Sequence, residues 1–199
     1  MPSASEPIEV AYQTYLRAEL AKLRNAGDAA DFLARSGCAV ASLEPQVTVA
    51  ALMGAFNDQA LVDDFVDRLD LAGKRKIAEC CQTWRRNGVA SKLAAARRAT
   101  LETVPIEQLL LGGAESKFEY RLLWARNGQR LVAIAADPEL GMLPPYRDWL
   151  PNQAVEITRC LVEPDSFDSD AYKVIDGIHR AIQLVWNGAT ALDLCVLRQ

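Results

Sequence analysis

The chain has 199 residues, 50% of them hydrophobic and 24% charged, with a net charge of -4. This composition is close to the average for globular proteins, which excludes disordered, collagen-like and disulfide-scaffold classes. No stretch approaches the roughly 18 uninterrupted apolar residues of a membrane helix, and Met1 to Glu9 is polar and acidic, so the expectation is a cytoplasmic protein with no membrane partner.

In chain order, Ile8, Tyr12, Leu16, Leu20 and Leu23 fall on one stripe at helical spacing and predict a first core-facing helix. Asp28 caps a second that buries Phe32 and Leu33. Thr48 caps a helix carrying Leu52, Met53 and Phe56. Asn57 opens the next, where Leu61, Val62, Phe65, Val66 and Leu69 make an apolar face opposite a row of aspartates. Ile77, Cys81 and Trp84 are the inward stripe of a basic helix, and Pro105 suits the first turn of a short helix with Ile106, Leu109 and Leu110. Gly27, Gly37, Gly73, Gly88 and Gly112 stand where such helices would end.

At Gly112-Gly113 the hydrophobic period changes from helical to strand spacing. Phe118, Tyr120, Leu122 and Trp124 alternate with Glu119, Arg121 and Leu123, Asn127-Gly128 is the pair a type I′ turn requires, and Leu131 to Ala136 is the returning arm of a hairpin. Asp137 to Asn152, with Pro138, Pro144, Pro145 and Pro151, is a loop. β-Branched residues predict a third strand over Ala154 to Val162, slipping phase near Arg159. Asp168 or Ser169 then caps a helix that runs through Trp186 to Asn187-Gly188, and Leu192, Leu194 and Val196 mark a last strand. The expected fold is α+β: a bundle of short helices over 1–112, then a small mixed or antiparallel sheet over 113–199 (hairpin, third strand, helix, fourth strand), packed together as one compact body.

Reactive groups are sparse. His179 is the only histidine and cannot by itself form a triad or a two-histidine metal site. Cys38, Cys80, Cys81, Cys160 and Cys195 are odd in number and irregularly spaced, which points to reduced thiols rather than disulfides or a zinc site. Asp165, Asp168 and Asp170 fail the EF-hand pattern, since Phe167 and Asp170 occupy its third and sixth positions, and are read with Ser169 as helix-capping groups. No phosphate-binding or nucleophile-elbow motif is present. No cofactor and no metal are therefore expected.

Two surfaces remain. Lys74 to Arg98 carries eight bases against Glu79, and its eleven-residue spacing would align Arg75, Arg86 and Arg97 on one uninterrupted helix; Arg75, Arg85, Arg86, Arg97 and Arg98 are the candidate anion-binding residues. Asn87-Gly88 is where that helix would break. In the proline-rich loop, Met142, Tyr146 and Trp149 are interface-anchoring types beside sheet edges that accept an extended peptide. The reading is a non-catalytic accessory, regulatory or adaptor protein that binds another protein or peptide. A nucleic-acid or other acidic partner on the basic band is the alternative, and an enzyme built on a carboxylate or cysteine is the third.

Overall fold

The computed structural model describes residues 7–23, 26–35, 59–85, 87–112, 116–118, 123–125, 128–136, 159–186 and 188–199. They belong to two compact units, Met1–Ala96 and Arg97–Gln199. Helices and a five-stranded mixed sheet make the fold α+β. No helix among the described residues is long and apolar enough to cross a membrane.

The first unit contains α1 (Pro7–Leu20), α2 (Ala26–Arg35), α3 (Gln59–Arg68), α4 (Leu71–Arg85) and α5 (Val89–Ala95). α1 packs on α3 and α4, while α2 and α5 pack on α4. The apolar stripes do this: Tyr12, Leu16 and Leu20 of α1, Val62 and Val66 of α3, and Ile77, Cys81 and Trp84 of α4 are buried. Polar groups inside are matched. Lys74 is buried on α4, where its ammonium donates to Glu9 at 2.8 Å and to the Leu69 carbonyl, and the Trp84 indole donates to Asp31 at 3.0 Å. Gly73 lies inside α4 rather than ending a helix, because Asp70, three residues earlier, accepts the Gly73 N–H at 2.7 Å and so caps α4. The helix expected after Thr48 lies outside the described residues.

In the second unit the strands are β1 (Arg98–Pro105), β2 (Leu109–Leu111), β3 (Ser116–Phe118), β4 (Leu123–Ala125), β5 (Cys160–Pro164), β6 (Tyr172–Asp176) and β7 (Ala191–Arg198), with helices α6 (Leu131–Ala135) and α7 (Ile178–Trp186). The large sheet runs β1-β7-β5-β6-β2, with β1 antiparallel to β7, β7 parallel to β5, β5 antiparallel to β6 and β6 parallel to β2. One face of it, including Val104, Leu111, Val162, Val174, Leu194 and Val196, forms a core with Leu131 and Ile134 of α6 and Ala181 and Ile182 of α7.

Several expectations change here. Arg98–Pro105 is a strand, where helices were expected up to Gly112. Pro105 ends that strand, and only a 3-10 turn, Ile106–Gln108, separates it from β2, so Leu109 and Leu110 are strand residues. Leu131–Ala135 is a helix rather than a returning strand, because Leu131, Ile134 and Ala135 recur at helical spacing and are the buried members. Ser116–Phe118 instead pairs antiparallel with Leu123–Ala125, so Asn127-Gly128 does not join the two paired strands; 119–122 lie outside the described residues. The third strand occupies Cys160–Pro164, with its register shift at Leu161/Val162, while 154–158 are outside the described residues. The helix expected from Asp168 begins only at Ile178. Before it the β-branched run of β6 prefers the pleated sheet, and Gly177 (φ +85°) turns the chain and accepts the first helical N–H, from Ala181, at 2.9 Å. α7 closes as expected at Gly188, φ +90°, whose N–H bonds the Val185 carbonyl while Ala189 bonds Leu184, both at 3.0 Å.

Candidate functional site

The two ends of the five-stranded sheet are built differently. β2, at one end, has three residues, and its outer side is covered: Leu111 donates to the Gln129 carbonyl at 2.8 Å and accepts from Gly128 at 2.8 Å. Leu110 also bridges Arg130.

β1, at the other end, has eight residues and pairs with β7 alone. Its register with β7 sets Arg98 against Arg198, Leu101 against Cys195 and Pro105 against Ala191. The Ile106 N–H donates to the Thr190 carbonyl at 3.1 Å. Because antiparallel bonding alternates along a strand, Val104, Glu102, Thr100 and Arg98 turn their backbone groups toward β7. Ala99, Leu101 and Thr103 therefore turn theirs outward. Pro105 shares their parity, so its missing N–H costs the ladder nothing. Arg98, Thr103 and Pro105 are exposed, and Leu101 is 48% exposed on the face opposite the core. No backbone partner for these outward groups occurs among the described residues.

The inner side of β1 is fixed by charge. Glu102 accepts from Thr100 Oγ1, from Arg198 Nη2 at 2.7 Å and from the Tyr172 hydroxyl at 3.4 Å. The Thr100 hydroxyl chiefly holds this carboxyl below its usual range; partial burial opposes that and Arg198 adds to it. On the other face Thr103 Oγ1 donates to Asp193 at 2.6 Å. β1 is thus pinned on one side; on the other, Leu101 and Thr103 are exposed without a backbone partner among the described residues, while Ala99 is buried at 1% exposure.

The residues singled out from sequence belong to different elements. Arg75 and Arg85 lie on α4, Arg86 is outside the described residues, and Arg97 and Arg98 belong to the second unit. α4 ends at Arg85 and Gly88 precedes α5, so the eleven-residue stripe has no continuous helix. Arg75 and Arg85 are both exposed; Arg85 lies 3.5 Å from Glu19 and 5.4 Å from the centroid of the Trp84 ring. Met142, Tyr146 and Trp149 lie outside the described residues.

The acids from Asp165 to Asp170 do not cap a helix. Asp165 closes the β5–β6 turn by accepting the N–H groups of Phe167 and Asp168 at 2.8 and 2.9 Å, while its other oxygen pairs with Lys173 at 2.7 Å. Asp168 pairs with Arg130 at 3.2 Å. No cluster with metal-ligand geometry occurs among the described residues. Cys80, Cys81, Cys160 and Cys195 are buried. Burial pushes the Cys160 and Cys195 thiols up to about 11, so neither supplies a thiolate near neutral pH.

The β1 edge itself was missed in the sequence. Its signal is the alternation Ala99, Leu101, Thr103 against Thr100, Glu102, Val104, blurred because polar residues stand on both faces. No protein-family model, no curated protein and no solved structure matches this chain.

Proposed function

We propose that this is a non-catalytic accessory protein that acts by pairing, taking an extended segment of another polypeptide as an added strand along β1. The observation that carries the reading is the outward backbone groups of exposed Leu101 and Thr103, which have no backbone partner among the described residues, on a strand whose other side is held by β7 and by the Glu102 cluster. Strand addition draws affinity from main-chain bonds and specificity from alternate side chains, and half-exposed Leu101 is the apolar contact beside such a strand. Natural sheets blunt edges of this length with inward charges, bulges or covering loops. β2 has such a cover; β1 carries Arg98 at its start, Glu102 paired with Arg198 in its middle and Pro105 at its end, but no described segment bonds its outer side.

The test is selection of displayed extended heptapeptides on the full chain, followed by titration against two variants. Thr103→Pro removes one outward N–H and is expected to weaken binding at least tenfold, whereas Thr103→Val, which keeps that N–H, binds like the parent. Equal binding by Thr103→Pro and the parent overturns the reading, as does retention that depends instead on Arg75 and Arg85.

A further inference from the structure

Resting on that edge reading, we infer that the strand β1 takes is a basic-apolar segment running antiparallel to it, with a lysine or arginine across from Thr103 and an apolar residue across from Leu101. The occupant's chemistry follows from how little of the edge is open and from one carboxylate beside it.

The open stretch is short. Ala99 is 1% exposed and Pro105 has no N–H, so the groups on offer are the N–H and carbonyl of Leu101 and of Thr103. An antiparallel segment exchanges both bonds of such a residue with the single residue across from it, so two of its residues, two positions apart, use all four groups. A parallel segment makes slanted and slightly weaker bonds to the same groups. The side chains of those two residues lie on the face opposite the core, beside Leu101 and Thr103.

The two positions differ in what they meet. Across from Leu101, 48% exposed, an apolar side chain covers surface that the single chain leaves to water. Across from Thr103 the surroundings are acidic, because Thr103 is in register with Asp193 of β7 and its Oγ1 donates to that carboxylate at 2.6 Å. Asp193 is exposed, and the Thr103 hydroxyl is its one side-chain partner among the described residues. Glu102, on the core face, has Arg198 at 2.7 Å. The carboxylate without a cation is therefore on the open face.

Thr103 stands between Asp193 and the added strand, with its Cα about 4.5 Å from one and about 5.5 Å from the other. A lysine or arginine side chain spans that distance over the small threonine, whereas an acidic residue there would meet like charge. At the other end of β1, Arg97 and Arg98 are exposed, so a base is favoured only at the Thr103 end. Read along the antiparallel segment, the order is a base, any residue, then an apolar residue.

The experiment is titration of the full chain with capped pentapeptides that reach only from Val104 to Thr100 and so stay clear of Ala99. Thr-Lys-Thr-Leu-Thr is expected to bind at least about threefold tighter than Thr-Glu-Thr-Leu-Thr or the reversed Thr-Leu-Thr-Lys-Thr, with the advantage over the glutamate peptide shrinking as salt is raised. Asp193→Asn, which keeps an acceptor for the Thr103 hydroxyl, is expected to erase the difference between lysine and glutamate peptides, and Asp193→Lys to reverse it.

A parent chain without the lysine preference, or a preference that survives both Asp193 variants, overturns the inference. So does a reversed peptide that binds as well as the forward one. If the preference is absent while Thr103→Pro still weakens every peptide, the edge reading stands and only the basic-apolar occupant is wrong. If Thr103→Pro changes nothing, both fall.

Discussion

β1 and β2 end the same sheet, yet one is finished and the other is not. β2 is short, its residues are at most 6% exposed, and Gly128–Arg130 bond its outer side. β1 is longer, sets exposed or partly exposed side chains between buried Ala99 and Val104, and among the described residues is bonded on one side only. The difference separates residues that serve the fold from residues available for contact: the same amino acid, leucine, has opposite consequences at 111 and at 101.

The largest effect comes from the covered end. Leu111 is 1% exposed, and Leu111→Ala is expected to cost about 3 kcal/mol in denaturant titration. Leu101→Ala, by contrast, should stay within about 0.5 kcal/mol of the parent while weakening strand addition. Equal losses at the two positions would erase the distinction.

Gly112→Ala sharpens the same contrast. A Cβ there would sit 2.7 Å from the Val174 carbonyl oxygen, backbone that cannot step aside, so a loss of about 2 kcal/mol is expected by thermal unfolding.

Glu102 probes how firmly the inner side of β1 is held. Its carboxyl titrates lower in the folded chain than in the unfolded one, so the stabilisation is full above the unfolded value of 4.5 and is lost as pH falls through the folded value. Glu102→Gln should therefore cost under about 1 kcal/mol near pH 7, since solvent screens the partly exposed Arg198 pair. The gap to the parent should close in acid. A gap that widens as pH falls would assign Glu102 a different partner.

Much of the helical unit was legible in the sequence, because single apolar stripes on α1, α3 and α4 have one way to be buried. The last strand and the Gly188 stop were legible for the same reason: strict alternation, and a residue that alone tolerates φ +90° cheaply. The sheet's margins were not. Tyr172–Asp176 is followed directly by the amphipathic α7, so one apolar run reads as one element until Gly177 is seen to turn it. β1 was hidden by its position after a run of helices and by Glu102, whose partner Arg198 is 96 residues away. A long-range ion pair leaves no local period to read.

Amide hydrogen exchange along β1 in dilute protein tests the open edge most directly. The account predicts alternation: the N–H groups of Thr100, Glu102 and Val104 are protected, and those of exposed Leu101 and Thr103 exchange quickly. Slow, uniform exchange at all five would mean that the outer side of β1 is already occupied within the single chain, and would contradict it.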